Sequence, residues 1–299
     1  AGQCSRNAPQ RYAGCCRFCG AHDRDRQAEV SHLFPEEWHF HVAPYISSFV
    51  KWMVVAWGPF FDAISSLILS VLLQIGRFLT WVPWWGWIAV ILVVAWKQTR
   101  SVLKTILPAV LVFTIGMFGL WEVAMETLGI IIVAVLISLI IGVPYGIAMS
   151  SSDRLNTVST PILDAMQTMP SMVYLIPALM LFSLGKVPGV FATVIYSLPP
   201  VIRLTNLGIR QVSKEVQEAA LVFGASKWQL MREVRLPLAM PTIMAGINQT
   251  TMLALSMVVI ASMIGAGGLG EEVLRATNRV DVGKGFEAGW AIVVLAIVI

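Results

Sequence analysis

Few side chains in this sequence could carry out covalent or metal chemistry, and those few are gathered near its beginning. All four cysteines and all four histidines lie within the first 41 residues. Cys16, Cys19 and His22 have the spacing of metal ligands, but a structural zinc site usually has two well separated ligand pairs. The sequence also has no H-E-x-x-H, no G-x-S-x-G and no pair of acidic residues with an active-site pattern. We therefore expect no catalytic residue, no cofactor and no metal site.

A run of four polar residues, Asn248-Gln249-Thr250-Thr251, interrupts an otherwise apolar stretch. Polar side chains inside an apolar helical bundle cost free energy unless they pair or face a cavity. Asn248 and Thr251 lie about one helical turn apart and share a face. We expect Asn248, Gln249 and Thr251 either to line a path for a solute or to join helices through hydrogen bonds.

A basic, amphipathic stretch at 213–241 is the second candidate site. Gly224 stands where a helix end favours a left-handed residue, and Ser226 can cap a second helix. This pattern predicts a helical hairpin that either docks into a groove of a partner or packs on its own bundle. Four apolar residues recur in its first half at helical spacing: Val216, Ala219, Ala220 and Phe223.

The elements that must position these residues are apolar. Apolar residues make up 57% of the sequence, charged residues 13%, and the mean hydropathy is +0.75. These values indicate an integral membrane protein. The net charge of +4 is spread over the loops rather than gathered on one face. We therefore expect a lipid membrane around this chain and no nucleic-acid partner.

The apolar stretches predict an all-α, polytopic bundle with about seven spans, since a helix needs about 20 residues to cross the hydrocarbon. The last stretch reaches Ile299, and we expect the natural chain to continue beyond it. The candidate spans are 84–96, 105–121, 128–149, 170–184, 188–203, 242–264 and one from about 285.

The residues before the first candidate span form two further segments. Residues 1–44 predict a disordered or non-native tail. Within 45–80, polar residues and a proline divide the apolar residues into short pieces: Lys51, Pro59, Asp62 and Arg77. This favours amphipathic scaffold helices at the interface, with a spanning hairpin as the alternative. Residues 81–299 then form the transmembrane domain, with a cytoplasmic loop at 203–237.

The orientation follows from the Lys and Arg residues of the loops, because cytoplasmic loops carry an excess of them. Ten lie in one set of loops: 97–104, 150–169 and 203–235. Four lie in the other set: 122–127, 185–187 and 265–284. The first set is therefore expected in the cytoplasm.

The hairpin carries a longer motif. Glu218-Ala219-Ala220, three residues, Gly224, nine residues and Val234-Arg235-Leu236-Pro237 resemble the EAA signature of permease subunits of bacterial ABC importers, with Val234 where the signature has Ile. Residues 161–212 and 236–270 are similar to the permease of glycine betaine/proline betaine importers, and the resemblance extends over about 81–299.

This resemblance implies a bacterial inner-membrane permease, with the fold of that family, that imports a compatible solute. Glu218, Ala219, Ala220, Gly224, Leu236 and Pro237 would couple it to a cytoplasmic ATPase. That ATPase must be a separate chain, because GAGGLG at 265–270 lacks the Lys-Ser/Thr of a P-loop and is interpreted as a tight turn. An extracytoplasmic solute-binding protein and a second copy of the permease are also implied.

Two rival functions remain from the sequence alone: an ion-coupled secondary transporter of a small zwitterion, and a membrane scaffold without transport. Six ranges contain no Asp, Glu, Lys, Arg or His: 84–96, 105–121, 128–149, 170–184, 188–202 and 238–264. Proton relays need ionisable groups at membrane depth. The sequence therefore disfavours a proton symporter and predicts a solute without net charge.

Overall fold

The computed structural model describes residues 43–299, and these residues form helices without any strand. In lipid, backbone polar groups must be satisfied within the chain, which an apolar helix achieves. Over the described residues the helices are α1 (Ala43–Ala56), α2 (Gly58–Trp81), α3 (Trp84–Thr99), α4 (Val102–Met117), α5 (Trp121–Ser151), α6 (Asp153–Thr168), α7 (Leu175–Phe182), α8 (Lys186–Arg210), α9 (Lys214–Val222), α10 (Lys227–Ile264), α11 (Leu269–Arg279) and α12 (Val282–Val298).

The chain divides into two compact units, one ending at Met53 and the other beginning at Val54. The described part of the first unit belongs to α1, a helix of 14 residues. The second unit contains α2 to α12. Four of its helices, α2, α5, α8 and α10, are long enough and apolar enough to cross a membrane. The expected all-α membrane bundle is therefore confirmed, while the count of seven spans stays a prediction.

The segment 45–80 has a simpler structure than its sequence suggests. Asp62 and Arg77 do not divide it, because α2 is one continuous helix of 24 residues, whose most apolar 18 residues have a mean hydropathy of 1.7. Pro59 lies in the first turn of α2, where its missing N–H breaks no helical hydrogen bond. The length of α2 is compatible with a membrane span, so both predictions for 45–80, a spanning segment and interfacial helices, stay open.

The candidate span at 170–184 is not one continuous helix. A 3-10 turn at Ser171–Tyr174 leads into α7, which has only 8 residues, about 12 Å of helix. The expected loop at 150–169 is instead the helix α6, whose first turn is capped by Ser152. Together α6 and the segment Ser171–Phe182 could form one broken span, bent by 107°. Pro170 disfavours helical backbone at Met169, so the break falls there.

Helix α8 lies at the centre of the second unit, packed against α5 on one side and α10 on the other. Gly142 and Gly146 of α5 allow close approach, because a Cβ at Gly146 would lie 2.9 Å from the carbonyl oxygen of Ile202. On the other side, a Cβ at Gly246 of α10 would lie 2.9 Å from the Cβ of Leu204. Small residues at both contacts thus permit the backbones to approach closely, as in other membrane bundles.

Two ion pairs mark the two ends of α8. At one end, Lys186 Nζ forms an ion pair with Glu126 Oε1 at 2.5 Å, joining the starts of α8 and α5. At the other end, Arg210 Nη1 pairs with Asp153 Oδ1 at 2.8 Å. We refer to these as the Lys186 end and the Arg210 end. The orientation inferred from the charge count stays a prediction.

The close packing of α5 on α8 generates a prediction. Replacing Gly146 with Ala should destabilise the bundle by about 1–3 kcal/mol, because the added methyl group meets backbone as well as side-chain atoms. The midpoint of thermal unfolding of the protein in lipid nanodiscs measures the effect. Gly76→Ala is the matched control, since a Cβ there meets nothing within 4 Å. Equal midpoints for the two variants would contradict close packing at Gly146.

Candidate functional site

The amphipathic stretch folds as the predicted helical hairpin. Helix α9 ends in a Schellman motif, in which the Ala225 N–H donates to the Ala220 carbonyl and the Gly224 N–H donates to the Leu221 carbonyl. Gly224 has φ +85°, so the expected left-handed position is confirmed. At this position a residue with a β-branched side chain would be strained.

The second half of the hairpin is the beginning of α10. Ser226 caps it: its Oγ accepts from the Gln229 N–H, and the Gln229 side chain accepts from the Ser226 N–H. This capping box confirms the predicted start. A π-helical turn follows at Leu230–Arg235, and the α-helix resumes with Leu236 and Pro237 near its start. The hairpin is therefore continuous with the longest apolar helix of the described chain.

Gln217 fixes the position of the hairpin relative to the bundle. Its Nε2 donates to the Val212 carbonyl at 2.8 Å, just past the end of α8. Its Oε1 accepts from Arg235 Nε at 3.0 Å and from Nη2 at 2.5 Å, at the base of α10. The sequence analysis missed Gln217 and Arg235, since they are 18 positions apart and only the folded hairpin brings them together.

The far side of the hairpin, which we name the hairpin tip, exposes large apolar side chains. Phe223 is 92% exposed, Val222 85% and Trp228 70%. Glu218 and Ala219 of the predicted motif are also exposed, whereas Ala220 is half-buried. Exposed apolar patches of this kind indicate a surface for protein contact. The alternative in which the apolar face packs on its own bundle does not hold at Phe223.

The motif ends where α10 meets the bundle. Leu236 packs against a buried cluster formed by Ile209, Ala239 and Ile243. Pro237 follows it and is exposed. The two motif residues at the base of the hairpin therefore lie in or beside the α8–α10 contact, and the residues of α9 lie outside it.

The structure separates the three predicted solute-path residues. Asn248 and Thr251 share a face of α10, as expected, and line a cavity of about 20 Å³ beside Ala296 of α12 and Ile299. Thr251 Oγ1 donates to the Ile247 carbonyl of its own helix. Gln249 points to a different side of α10. A cavity of this size holds about one water molecule.

Gln249 faces a larger groove of about 380 Å³ between α6, α8 and α10. We name it the Arg203 groove; the polar side chains that line it are Thr160, Gln167, Arg203, Asn206 and Gln249. The Arg203 guanidinium forms an ion pair with Asp164 of α6. Both residues lie within helices, because α8 continues to Arg210 and α6 is a helix. They lie outside the ranges for which the sequence predicts no ionisable residue, so that prediction is unchanged.

A second ion pair joins the same two helices nearer the Arg210 end. Arg210 Nη1 donates to Asp153 at 2.8 Å, its Nε donates to Asn206 Oδ1 at 2.9 Å, and its Nη2 donates to the Met149 carbonyl at 3.1 Å. Asn206 Nδ2 in turn donates to Asn156 Oδ1 at 2.8 Å. All three nitrogens of this guanidinium have partners, so its role is to hold helices together.

At the Lys186 end, GAGGLG forms the expected tight turn. Gly265, Gly267 and Gly268 have φ between +81° and +84°. The Leu269 N–H donates to Thr127 Oγ1 of α5 at 2.8 Å, which satisfies a free donor at the start of α11. The turn thus serves to pack α11 against α5.

The possible metal ligands Cys16, Cys19 and His22 lie outside the described residues.

Comparison with known proteins identifies relatives of this chain. The family model for the binding-protein-dependent transport system inner membrane component matches residues 134–299. The glycine betaine/proline betaine transport system permease protein ProW of Escherichia coli is 46% identical over 255 residues, which cover 85% of this chain and 72% of the relative. The glycine betaine transport system permease protein OpuAB of Bacillus subtilis is 44% identical over 259 residues, covering 86% of this chain and 90% of the relative.

The fold is also found in a solved structure. An inward-facing form of the MetNI methionine ABC transporter superposes with a TM-score of 0.54 at 20% identity, covering 60% of this chain and 91% of that chain. Membership of a family of transport-system components decides against a scaffold without transport and against an enzyme. An ATP-hydrolysing subunit and a solute-binding protein belong to such systems. On these grounds the chain is an inner-membrane permease subunit and belongs to the family of binding-protein-dependent transport system inner membrane components.

Proposed function

We propose that this permease imports glycine betaine, proline betaine or a related quaternary amine, and that ATP hydrolysis on a separate subunit drives the import through the hairpin at 213–237. The names of the similar permeases from E. coli and B. subtilis support this choice of solute. An extracytoplasmic binding protein delivers the solute, and two copies of this chain form the membrane part. The ion-coupled secondary transporter is the rival that an energetic test separates.

The exposed hairpin tip is the observation that carries the coupling role. Phe223 and Trp228 expose apolar surface in a short helical element that is rigidly joined to α8 and α10. A groove on the ATPase subunit would bury these side chains, and a movement of that groove would displace both membrane helices together. Glu218, Ala219, Ala220 and Gly224 shape the docked helix, whereas Leu236 and Pro237 connect it to the bundle.

The energy source tests the proposed function as a whole. In proteoliposomes containing the permease, its ATPase and its binding protein, glycine betaine uptake should require ATP on the ATPase side. It should survive collapse of the proton and sodium gradients by ionophores, because ATP hydrolysis supplies the free energy. Radiolabelled uptake measures it. Loss of uptake with ionophores at constant ATP would instead support the ion-coupled secondary transporter.

The turn of the hairpin gives a second prediction. Gly224→Val should remove solute-stimulated ATP hydrolysis, because a β-branched residue resists φ +85° and the tip would be displaced. Gly119→Val is the matched control: Gly119 has φ +72°, and neither glycine has any atom within 4 Å of an added Cβ. The control should keep the stimulation. Equal activity of both variants would contradict the coupling role of the turn.

The hairpin tip gives a third prediction. Phe223→Ser should weaken binding of the ATPase subunit by about 2 kcal/mol, roughly 30-fold, because an exposed aromatic anchor is lost. The side chain is exposed, so the fold should be unaffected. Leu184→Ser, at a residue 77% exposed near the Lys186 end, is the control. Dissociation constants of the detergent-purified subunits measure both. An unchanged constant for Phe223→Ser would rule out the tip as the docking surface.

A further inference from the structure

The Arg203 groove gathers polar side chains from three helices in a part of the chain that is otherwise rich in apolar residues. Thr160 and Gln167 come from α6, Arg203 and Asn206 from α8, and Gln249 from α10. On a surface facing lipid each would cost free energy, and such residues in membrane bundles usually face the interior or a water-filled cavity. The groove is therefore interpreted as an aqueous face of the bundle rather than a lipid-facing one.

Arg203 lines the groove and forms an ion pair with Asp164, which lies beside the groove. Arg203 lies seven residues before the end of α8, so its Cα is about 10 Å inside that end. Its partner Asp164 lies one turn from both Thr160 and Gln167, on the same face of α6. The pair is partly exposed, with 35% of the Arg203 side chain and 54% of the Asp164 side chain accessible, so a solute in the groove can reach both charges.

The two arginines that join α6 and α8 differ in how fully they are bonded. Arg210 uses all three of its nitrogens for side-chain and carbonyl partners. Arg203 bonds Asp164 through Nη2, whereas its Nε is buried and has no hydrogen-bond partner. A buried donor without a partner is unfavourable. That nitrogen is closed to a solute, but the Arg203 side chain is 35% exposed and bonds through Nη2 alone, so its terminal nitrogens can bind a further acceptor.

We propose that the Arg203 groove is a binding site for the solute during its passage, with the Arg203 guanidinium receiving the carboxylate and the Asp164 carboxylate facing the quaternary ammonium group. This assignment rests on the proposed function. A groove of about 380 Å³ is in the size range of small-molecule sites. Gln167, Asn206 and Gln249 supply neutral hydrogen-bonding groups around the carboxylate.

The charges explain why a zwitterion is preferred at this site. When a zwitterion enters, the ion pair between Arg203 and Asp164 is exchanged for two ion pairs with the solute, and the net charge of the groove stays zero. A simple cation would compensate Asp164 only, and a simple anion Arg203 only. Each would leave one protein charge without its partner, which disfavours both classes.

The test compares two matched pairs of substitutions in the full transporter, reconstituted with its ATPase and binding protein. Arg203→Gln with Asp164→Asn removes the charges of the groove, and Arg210→Gln with Asp153→Asn removes the other ion pair between the same helices. Neither pair changes the net charge. We expect at least a tenfold loss of radiolabelled glycine betaine uptake for the first pair and less than a twofold loss for the second.

A selectivity measurement separates binding from a merely structural role. Binding of labelled glycine betaine and of labelled choline is measured on the permease–ATPase complex without binding protein. In Arg203→Gln, where Asp164 keeps its charge, the ratio of glycine betaine to choline binding should fall at least tenfold, because only the solute with a carboxylate loses a partner. A pure packing defect would lower both equally and leave the ratio unchanged.

The outcomes are distinguishable. Absence of ATP-driven uptake in the wild-type transporter would overturn the proposed function. Wild-type uptake together with equal behaviour of the two double variants, or an unchanged binding ratio in Arg203→Gln, would overturn the site and leave the function standing. A further outcome would be dissociation of the two permease copies in the Arg203→Gln/Asp164→Asn variant but not in the other double variant, measured by mass photometry. It would identify the groove as a subunit contact and also overturn the site.

Discussion

The central position of α8 is the constraint on which the rest of the structure depends. In the most apolar 18-residue stretch of α8, 67% is buried within the molecule, compared with 39% in the corresponding stretches of α5 and α10. The close contacts at Gly146 and Gly246 leave no space for side chains between α8 and its neighbours. Closely packed helices move as rigid units, because their interface cannot deform continuously. A displacement at the Arg210 end must therefore move α8 together with at least one neighbouring helix.

The hairpin is placed where such a displacement can be applied. It joins the end of α8 to the start of α10, and Gln217 ties it to both through the Val212 carbonyl and the Arg235 guanidinium. The base of the hairpin is therefore stiff, while the tip at Phe223 is open to a partner. A hydrogen-bonded base can transmit a displacement to the bundle, which a flexible loop could not do. An exposed apolar tip can bind a partner, which a fully packed hairpin could not do.

Local signals in the sequence predicted local structure well. Gly224 and Ser226 act on backbone groups within five residues of themselves, so their roles could be predicted without the fold. The region 150–184 could not be predicted in this way. Mean hydropathy treats α6 as a polar loop, yet Ser152 caps it and its apolar residue Leu163 packs in a buried cluster with Met149. Hydropathy averages over the two faces of a helix, and here the faces differ.

The charges of the bundle show the same limit more sharply. Where a span is judged to end decides whether Arg203 counts as a loop residue or as a membrane residue, and composition alone ended α8 too early. Asp164 precedes Arg203 by 39 positions, so no local pattern pairs them. Their pairing requires α6 to fold back along α8, a contact that the second ion pair, Arg210 with Asp153, also holds. The two pairs differ in their bonding, because Arg210 uses all three of its nitrogens and Arg203 only Nη2.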